Sequence, residues 1–384
     1  LAVQETARAA FGRGEVAEAE VRWHDACTHY ANAARLDPSF VNRCKARVFA
    51  WRAGQFADAH RHGEALLEFV RKDGTQEQLG LALNEHALTL KAQGRYVEAE
   101  GLYREALEID RATIGEGHPE YATHLNNLAL VVEAQGRYAE AEGLYREALE
   151  IDRATIGEGH PEYAKHLNNL AGVVRAQGRY VEAERLSREA LEIDRATIGE
   201  GHPQYATHLN NLAGVVQAQG QYEEAEGLYA QALKIDGATL GKGHPEYATA
   251  LNNLALVVQA QGRYAEAEGL FREGLEIDRA TLGKGHPEYA KHLNNLAGLV
   301  EDRGRFVEAE GLYREVLEID RATIGKGHPS YATHLNNLAG VLAKQNKPEE
   351  ARPLLVQALE VFRETLPPDH PHIGVVERGL AALP

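Results

Sequence analysis

A unit of 42 residues is written repeatedly along this chain, and the dipeptide His-Pro marks its phase at His118, His160, His202, His244, His286, His328 and His370. A fixed period of about 20 to 50 residues specifies an open array of like units, each packed on its neighbours, rather than one closed core. A chain of 384 residues built around a single globular core would be expected to divide, whereas an array grows by adding units. The expected organisation is therefore one elongated domain over 1–384. It comprises divergent units at 1–38 and 39–75, units of 42 residues at 76–117, 118–159, 160–201, 202–243, 244–285, 286–327 and 328–369, and a capping helix at 370–384.

Within the block from His118 to Gly159, Leu125, Leu128, Ala129 and Val132 recur at i, i+3, i+4 and i+7, one face of an amphipathic helix. Pro119 falls in its first turn, where a missing N–H costs nothing, and His118 at the cap. The helix is expected to end near Gln135. After a turn at Gly136 and Arg137, a second stripe of Tyr138, Ala141, Leu144, Tyr145, Ala148 and Ile151 runs to about Ile156, and Gly157 to Gly159 ends it. The turn glycine recurs at Gly14, Gly54, Gly94, Gly136, Gly178, Gly220, Gly262 and Gly304, with Asn346 in its place last. That clock predicts nine helix pairs and a lone helix after Pro371, whose Ile373, Val376 and Leu380 cover the last core face. Small residues stand where paired helices should touch, as at Ala129 and Ala141. Gly143, Gly227, Gly269 and Gly311 read either as close helix contacts or as drift.

The composition excludes several functions. A formal charge of −16 disfavours nucleic acid or an anionic membrane as the main ligand, since both require a basic face. No apolar stretch approaches the roughly 18 residues of a membrane span. Cys27 and Cys44 are too few for a disulfide framework and lack zinc-site spacing, so two free thiols are expected. With no Met and a start at Leu1, the sequence reads as a trimmed piece of a longer, cytoplasmic protein.

The spacing of Leu125, Leu128, Ala129, Val132, Gly136, Tyr138, Ala141, Tyr145 and Ala148 resembles the tetratricopeptide repeat. More narrowly, HPEYATHLNNLALVVEAQGRYAEAEGLYREALEIDRATIGEG resembles the 42-residue variety of kinesin light chains and bacterial light-chain-like proteins. The resemblance is strong from about 76 to 370 and weaker before, where Gly63 and Leu66 replace an aromatic and an alanine. It implies an all-α fold, an α-solenoid of helix pairs wound as a right-handed superhelix. No heptad segment for a motor chain is present, so the resemblance carries the fold and mode of binding and not the motor role.

With the apolar stripe inward, Thr123, Asn127, Leu130 and Ala134 face outward on the first helix, Asn126 and Glu133 lying at the edge. Stacking aligns Asn127, Asn169, Asn211, Asn253, Asn295 and Asn337 into a ladder. A second asparagine precedes each, among them Asn126, Asn168, Asn210 and Asn252. A carboxamide both donates and accepts, so it can grip a peptide backbone whatever the peptide's side chains. The resemblance implies that this ladder lines a concave groove and that the second asparagine makes that grip. The competing reading is that the amides lock neighbouring units together. Asn84 and Glu85 depart from the pattern.

Selectivity would come from positions that vary: Lys165 and Lys291 against threonines, Arg175 against Glu133 and Gln217, and Gly172, Gly214, Gly298 and Gly340 against leucines, leaving room for bulky guests. Lys165 with Arg175 makes one unit the most basic stretch, suited to an acidic or phosphorylated segment. The histidines lack the i, i+3 or i, i+4 spacing of metal ligands. The GEGHP and GKGHP loops are a weak anion cradle with a donor removed by proline, and no nucleophile–base set is present. The four glutamates Glu140, Glu142, Glu147 and Glu150 read as a solvated face. The expectation is a non-enzymatic scaffold, with no cofactor or metal, that binds a protein segment in its groove. The alternative is the sensing half of a larger bacterial signalling protein, with a nucleotide-dependent ATPase switch or a protease joined upstream.

Overall fold

The computed structural model describes residues 2–368 and 370–383, and among them every regular element is an α-helix. In chain order these are α1 (Ala2–Ala19) and α2 (Trp23–Leu36), α3 (Phe40–Arg52) and α4 (Phe56–Asp73), α5 (Gln76–Ala92) and α6 (Tyr96–Thr113), α7 (Pro119–Ala134) and α8 (Tyr138–Thr155), α9 (Pro161–Ala176) and α10 (Tyr180–Thr197), α11 (Pro203–Ala218) and α12 (Tyr222–Thr239), α13 (Pro245–Ala260) and α14 (Tyr264–Thr281), α15 (Pro287–Asp302) and α16 (Phe306–Thr323), α17 (Pro329–Lys344) and α18 (Pro348–Thr365), and last α19 (Pro371–Ala382). The fold is an all-α solenoid of consecutively packed helices. It falls into two compact units: the stretch to Ile109 together with the stretch from Asp278, and Asp110–Ile277.

The His-Pro dipeptide starts each first helix from α7 onward. The imidazole Nδ1 accepts the backbone N–H two residues on, from Glu120 to His118 at 3.2 Å and from Glu162 to His160 at 3.1 Å. It thereby satisfies one of the donors that a helix N-terminus leaves open, while proline at the next position has no donor to lose. The turns between paired helices need a left-handed residue: φ is 77° at Gly136 and 79° at Gly178, and Asn346, at 61°, takes that conformation without being glycine.

The inner faces follow the predicted stripes. Leu128, Ala129 and Val132 of α7 are buried, as are Ala141, Tyr145 and Ala148 of α8. A Leu→Ala change at such a site costs about 2–5 kcal/mol. A larger side chain at Ala129 or Ala141, both wholly buried, would overpack the helix contact at about 1–3 kcal/mol. In α19, Ile373 and Val376 are buried and Leu380 half-buried.

The structure corrects one reading of the sequence, at Gly14, and decides two points about other glycines. Gly14 is not a turn: it lies inside α1, where the Tyr30 ring packs so closely that an added Cβ would come within 2.7 Å of it. The first reversal is made instead at Val21, with φ 58°. Gly143, Gly227, Gly269 and Gly311 are not close helix contacts, because a Cβ on any of them would meet nothing within 4 Å. Gly63 does have a packing reason. His86 fills the space that a side chain there would need, its Nδ1 lying against the position of an added Cβ.

The unit holding both chain ends also joins residues far apart in sequence. His286 donates from Nε2 to the Arg52 carbonyl at 3.1 Å while its Nδ1 accepts from Glu288 N at 3.1 Å. The left-handed turn at Gly54 rests against that ring, and the turn at Gly94 rests in the same way against His328, whose ring also meets Tyr96 edge-on.

Candidate binding surface

The ladder asparagines differ from one step to the next. Asn169 donates to Asn126 Oδ1 at 2.9 Å, and Asn337 to Asn294 Oδ1 at 3.0 Å, so at these steps the amides bridge adjacent first helices. Asn126 and Asn252 also donate weakly to Asn127 and Asn253, at 3.4 and 3.5 Å. Asn127, Asn169, Asn253, Asn295 and Asn337 are half-buried, whereas Asn211 is exposed. Beside Asn211, the Oδ1 atoms of Asn168 and Asn210 are buried without a donor among the described residues. Asn84 is buried in the unit at 76–117, and its neighbour Glu85 pairs with the buried Arg47, which also donates to Thr89 Oγ1 at 3.0 Å. Burial pushes the Arg47 guanidinium down to about 10.

The variable positions are partly committed to the fold. Glu133 and Glu301 each accept the hydroxyl of a second-helix tyrosine, Tyr145 and Tyr313, at 3.1 Å, and Glu301 also pairs with Lys344 at 2.7 Å. Lys165 and Lys291 are exposed but bonded one turn back to Glu162 and Glu288, at 3.1 and 3.2 Å. Arg175 differs. Ser187 stands where the units on either side have a tyrosine. The Arg175 guanidinium extends over Gly214, where an added Cβ would lie 2.6 Å from Nη1. Of the glycines expected to leave room for a guest, Gly172 and Gly340 are open, Gly298 faces Tyr313 Oη at 3.7 Å, and Gly214 is filled by Arg175.

Opposite the ladder, Glu142 is not part of a solvated face. It accepts from Gln177 at 2.9 Å and from Arg179 at 2.7 Å, both in the next turn, and from Arg146 at 2.7 Å. Burial alone would raise its carboxyl, but these donors outweigh it and hold the group at about 2. Glu310 is held at about 2 in the same way, by Lys347 first and then by Arg314 and Gln345. Glu140, Glu147 and Glu150 are exposed, as expected.

Between each second helix and the next first helix lies a polar seam that the sequence reading missed. Asp152 meets His166 Nδ1 at 2.6 Å, Asp194 meets His208 at 2.7 Å, and Asp278–His292 and Asp320–His334 each lie at 2.6 Å; Asp110 and His124 pair likewise. All ten residues are buried. The signal was a constant separation of 14 residues. Where one partner is apolar the other is too: Phe362 stands with Val376 at the same separation, and Val70 with Ala82 only 12 residues on, across a shorter connection, all buried. The single mismatch is Asp236, whose counterpart is Ala250.

Among the described residues no group of three His, Cys, Asp or Glu is placed to hold a metal ion, and no helix is long and apolar enough to cross a membrane. Cys27 is buried and Cys44 half-buried, both as free thiols, and burial pushes Cys27 up to about 11.

Comparison with known proteins bears on the family. The model of the tetratricopeptide repeat matches residues 78–154, 162–238, 206–280, 246–322 and 288–364. A solved structure of a Podosopora anserina protein assigned as a kinesin light chain, with nearly identical TPR-like repeats, is 29% identical; the match has a TM-score of 0.44 and covers 54% of this chain and 98% of that one. BtubC (BKLC) from P. vanneervenii is 21% identical with a TM-score of 0.47, over 62% of this chain and 94% of that one. No curated protein sequence matches the chain.

Proposed function

Since this chain belongs to the tetratricopeptide-repeat family, in its kinesin-light-chain-like form, we infer that it is a non-enzymatic scaffold whose first-helix face binds an extended segment of a partner protein. The observation that carries this reading is the underbonded middle of the ladder. There Asn211 is exposed, and the Asn168 and Asn210 oxygens are buried without donors. A buried acceptor without a donor costs about 1–3 kcal/mol, and a guest's backbone N–H groups would relieve that cost. The same step is also bridged through the second helix, where Glu184 accepts from Gln219 at 2.8 Å, so the amides are not its only link. Arg175 lies in the same stretch and would receive an acidic or phosphorylated side chain. Residues that could touch such a guest are Asn127, Asn169, Asn211, Asn253, Asn295 and Asn337, with Lys165 and Lys291 as secondary charges.

The test is selection of binders from a random displayed peptide library against the full chain, followed by titration against Asn211→Ala. Selected peptides should lose about tenfold in affinity, equivalent to about 1.4 kcal/mol, with Tm unchanged. Peptides that bind the variant as tightly, or the absence of any binder, would remove this reading.

A further inference from the structure

The seam between second and first helices has a rule and one exception. Of the eight steps from α4 onward, both members are polar at five and both are apolar at two, yet at the step from α12 to α13 Asp236 faces Ala250. Losing both partners restores an apolar interior, whereas losing only the histidine leaves a buried carboxyl without its counterpart. Asp236 is 4% exposed, and among the described residues no side-chain partner takes the place of the missing imidazole.

A cavity of about 140 Å³ opens beside Asp236 between α11 and α13, lined by Asp236, Glu246, Thr207, Thr249, Asn210 and Asn211 among others. Its lining offers two carboxylates, and the orphaned Asn210 Oδ1 adds an unfilled acceptor. Both threonine hydroxyls already donate to backbone carbonyls, Thr207 to Pro203 and Thr249 to Pro245, at 3.2 Å. Among the described lining residues there are two carboxylates and no lysine, arginine or histidine to balance them. Burial and the nearby Glu246 push the Asp236 carboxyl up to about 6, the behaviour of an acid that lacks a positive neighbour.

We propose that this cavity is a specificity pocket for a cationic N–H donor of the guest segment, the tip of a histidine or lysine side chain, which enters between Asp236 and Glu246 and pairs with Asp236. The pocket lies among the ladder residues Asn210, Asn211 and Asn253, so in its peptide form the inference rests on the scaffold reading above. With Arg175 in the preceding block, it would set a register in the guest: an acidic side chain at one block and a basic one at the next.

Free imidazole tests the pocket without any peptide, and pyrazole serves as the same-sized ring without a charge at pH 6.5. Imidazole should raise the Tm of the full chain saturably by about 2 °C, pyrazole should not, and both Asp236→Asn and Ala250→His should abolish the rise. Equal effects of the two rings would show plain cavity filling and overturn the proposal, as would no effect of either. A lowered Tm for Ala250→His would also overturn it, since it would mean that the cavity does not fit an imidazole. Peptide selection then separates the two readings. Binders without a basic residue, together with no imidazole effect, would sink the pocket and leave the scaffold. An imidazole effect with no peptide binders would sink the scaffold and leave the pocket.

Discussion

The step from α8 to α9 and the step from α12 to α13 are built from nearly the same residues, yet one encloses a buried pair, Asp152 with His166, and the other a carboxyl beside a void. In a chain of near-copies most of the sequence only holds the array together, and what is particular to a unit appears as its difference from the rest. Asp236 and Ala250 are one such difference. Ser187 and Arg175 are another, a serine and a guanidinium where two other units pair a tyrosine with a glutamate.

His166→Ala makes the first step resemble the second and should have the largest effect. It leaves Asp152 buried and unpaired, a loss of about 3 kcal/mol measured by urea denaturation; a loss below about 1 kcal/mol would mean the pair is not structural. Adding Asp152→Val, which copies Val70 with Ala82, should restore at least half of that loss, because a matched apolar pair leaves no orphan. Failure to recover would show that the seam requires polarity for its own sake.

The two steps should also differ in their response to pH. The Asp236 carboxyl ordinarily titrates at 3.8 and is raised to about 6 in the fold, so the folded state binds more protons between those values. Stability contributed there is present below about 3.8 and lost as pH rises to about 6. The advantage of Ala250→His over the unaltered chain should therefore grow across that window and level off above it. His328 gives a contribution of opposite sign. Burial lowers it from 6.5 to about 4, so its contribution is present above 6.5 and falls away as pH drops to about 4. Denaturation midpoints measured from pH 3.5 to 7.5 check both.

Smaller effects sharpen the contrast along the ladder. Asn169→Ala removes a bond between adjacent first helices and should cost about 1 kcal/mol, whereas Asn211→Ala should leave stability unchanged. Gly143→Ala and Gly227→Ala, on α8 and α12, should each add just under 1 kcal/mol, since both face open space in mid-helix. Unequal gains would mean that the two blocks differ in more than their seams.

The fold was largely legible because helix periodicity, the His-Pro caps and the left-handed turn residues are local signals, read within a few positions of one helix. Gly14 was misread because a glycine in an amphipathic stretch looks the same whether it reverses the chain or makes room for a ring, here Tyr30. Glu142 was misread because its partners Gln177 and Arg179 lie 35 and 37 residues away, a distance that only packing closes. The His–Asp seam could have been found. Its 14-residue separation and the joint loss of both partners at Val70–Ala82 and Phe362–Val376 are present in the repeats, but invisible to a search confined to one helix face. The ladder positions were legible as a surface; their unequal bonding was not, since identical Asn-Asn dipeptides are bridged at one step and left open at the next.

The contacts of Gly54 with His286 and of Gly94 with His328 use a cap that every later block repeats. A chain lacking one whole block, such as 160–201, would still offer Gly54 a histidine of the same geometry, only one drawn from the following copy. Changes in length by whole multiples of 42 residues thus preserve the chemistry of this long-range latch, whereas insertion of a fraction of a block would put a helix flank where the imidazole belongs. Such a latch tolerates gain or loss of entire modules while policing their phase.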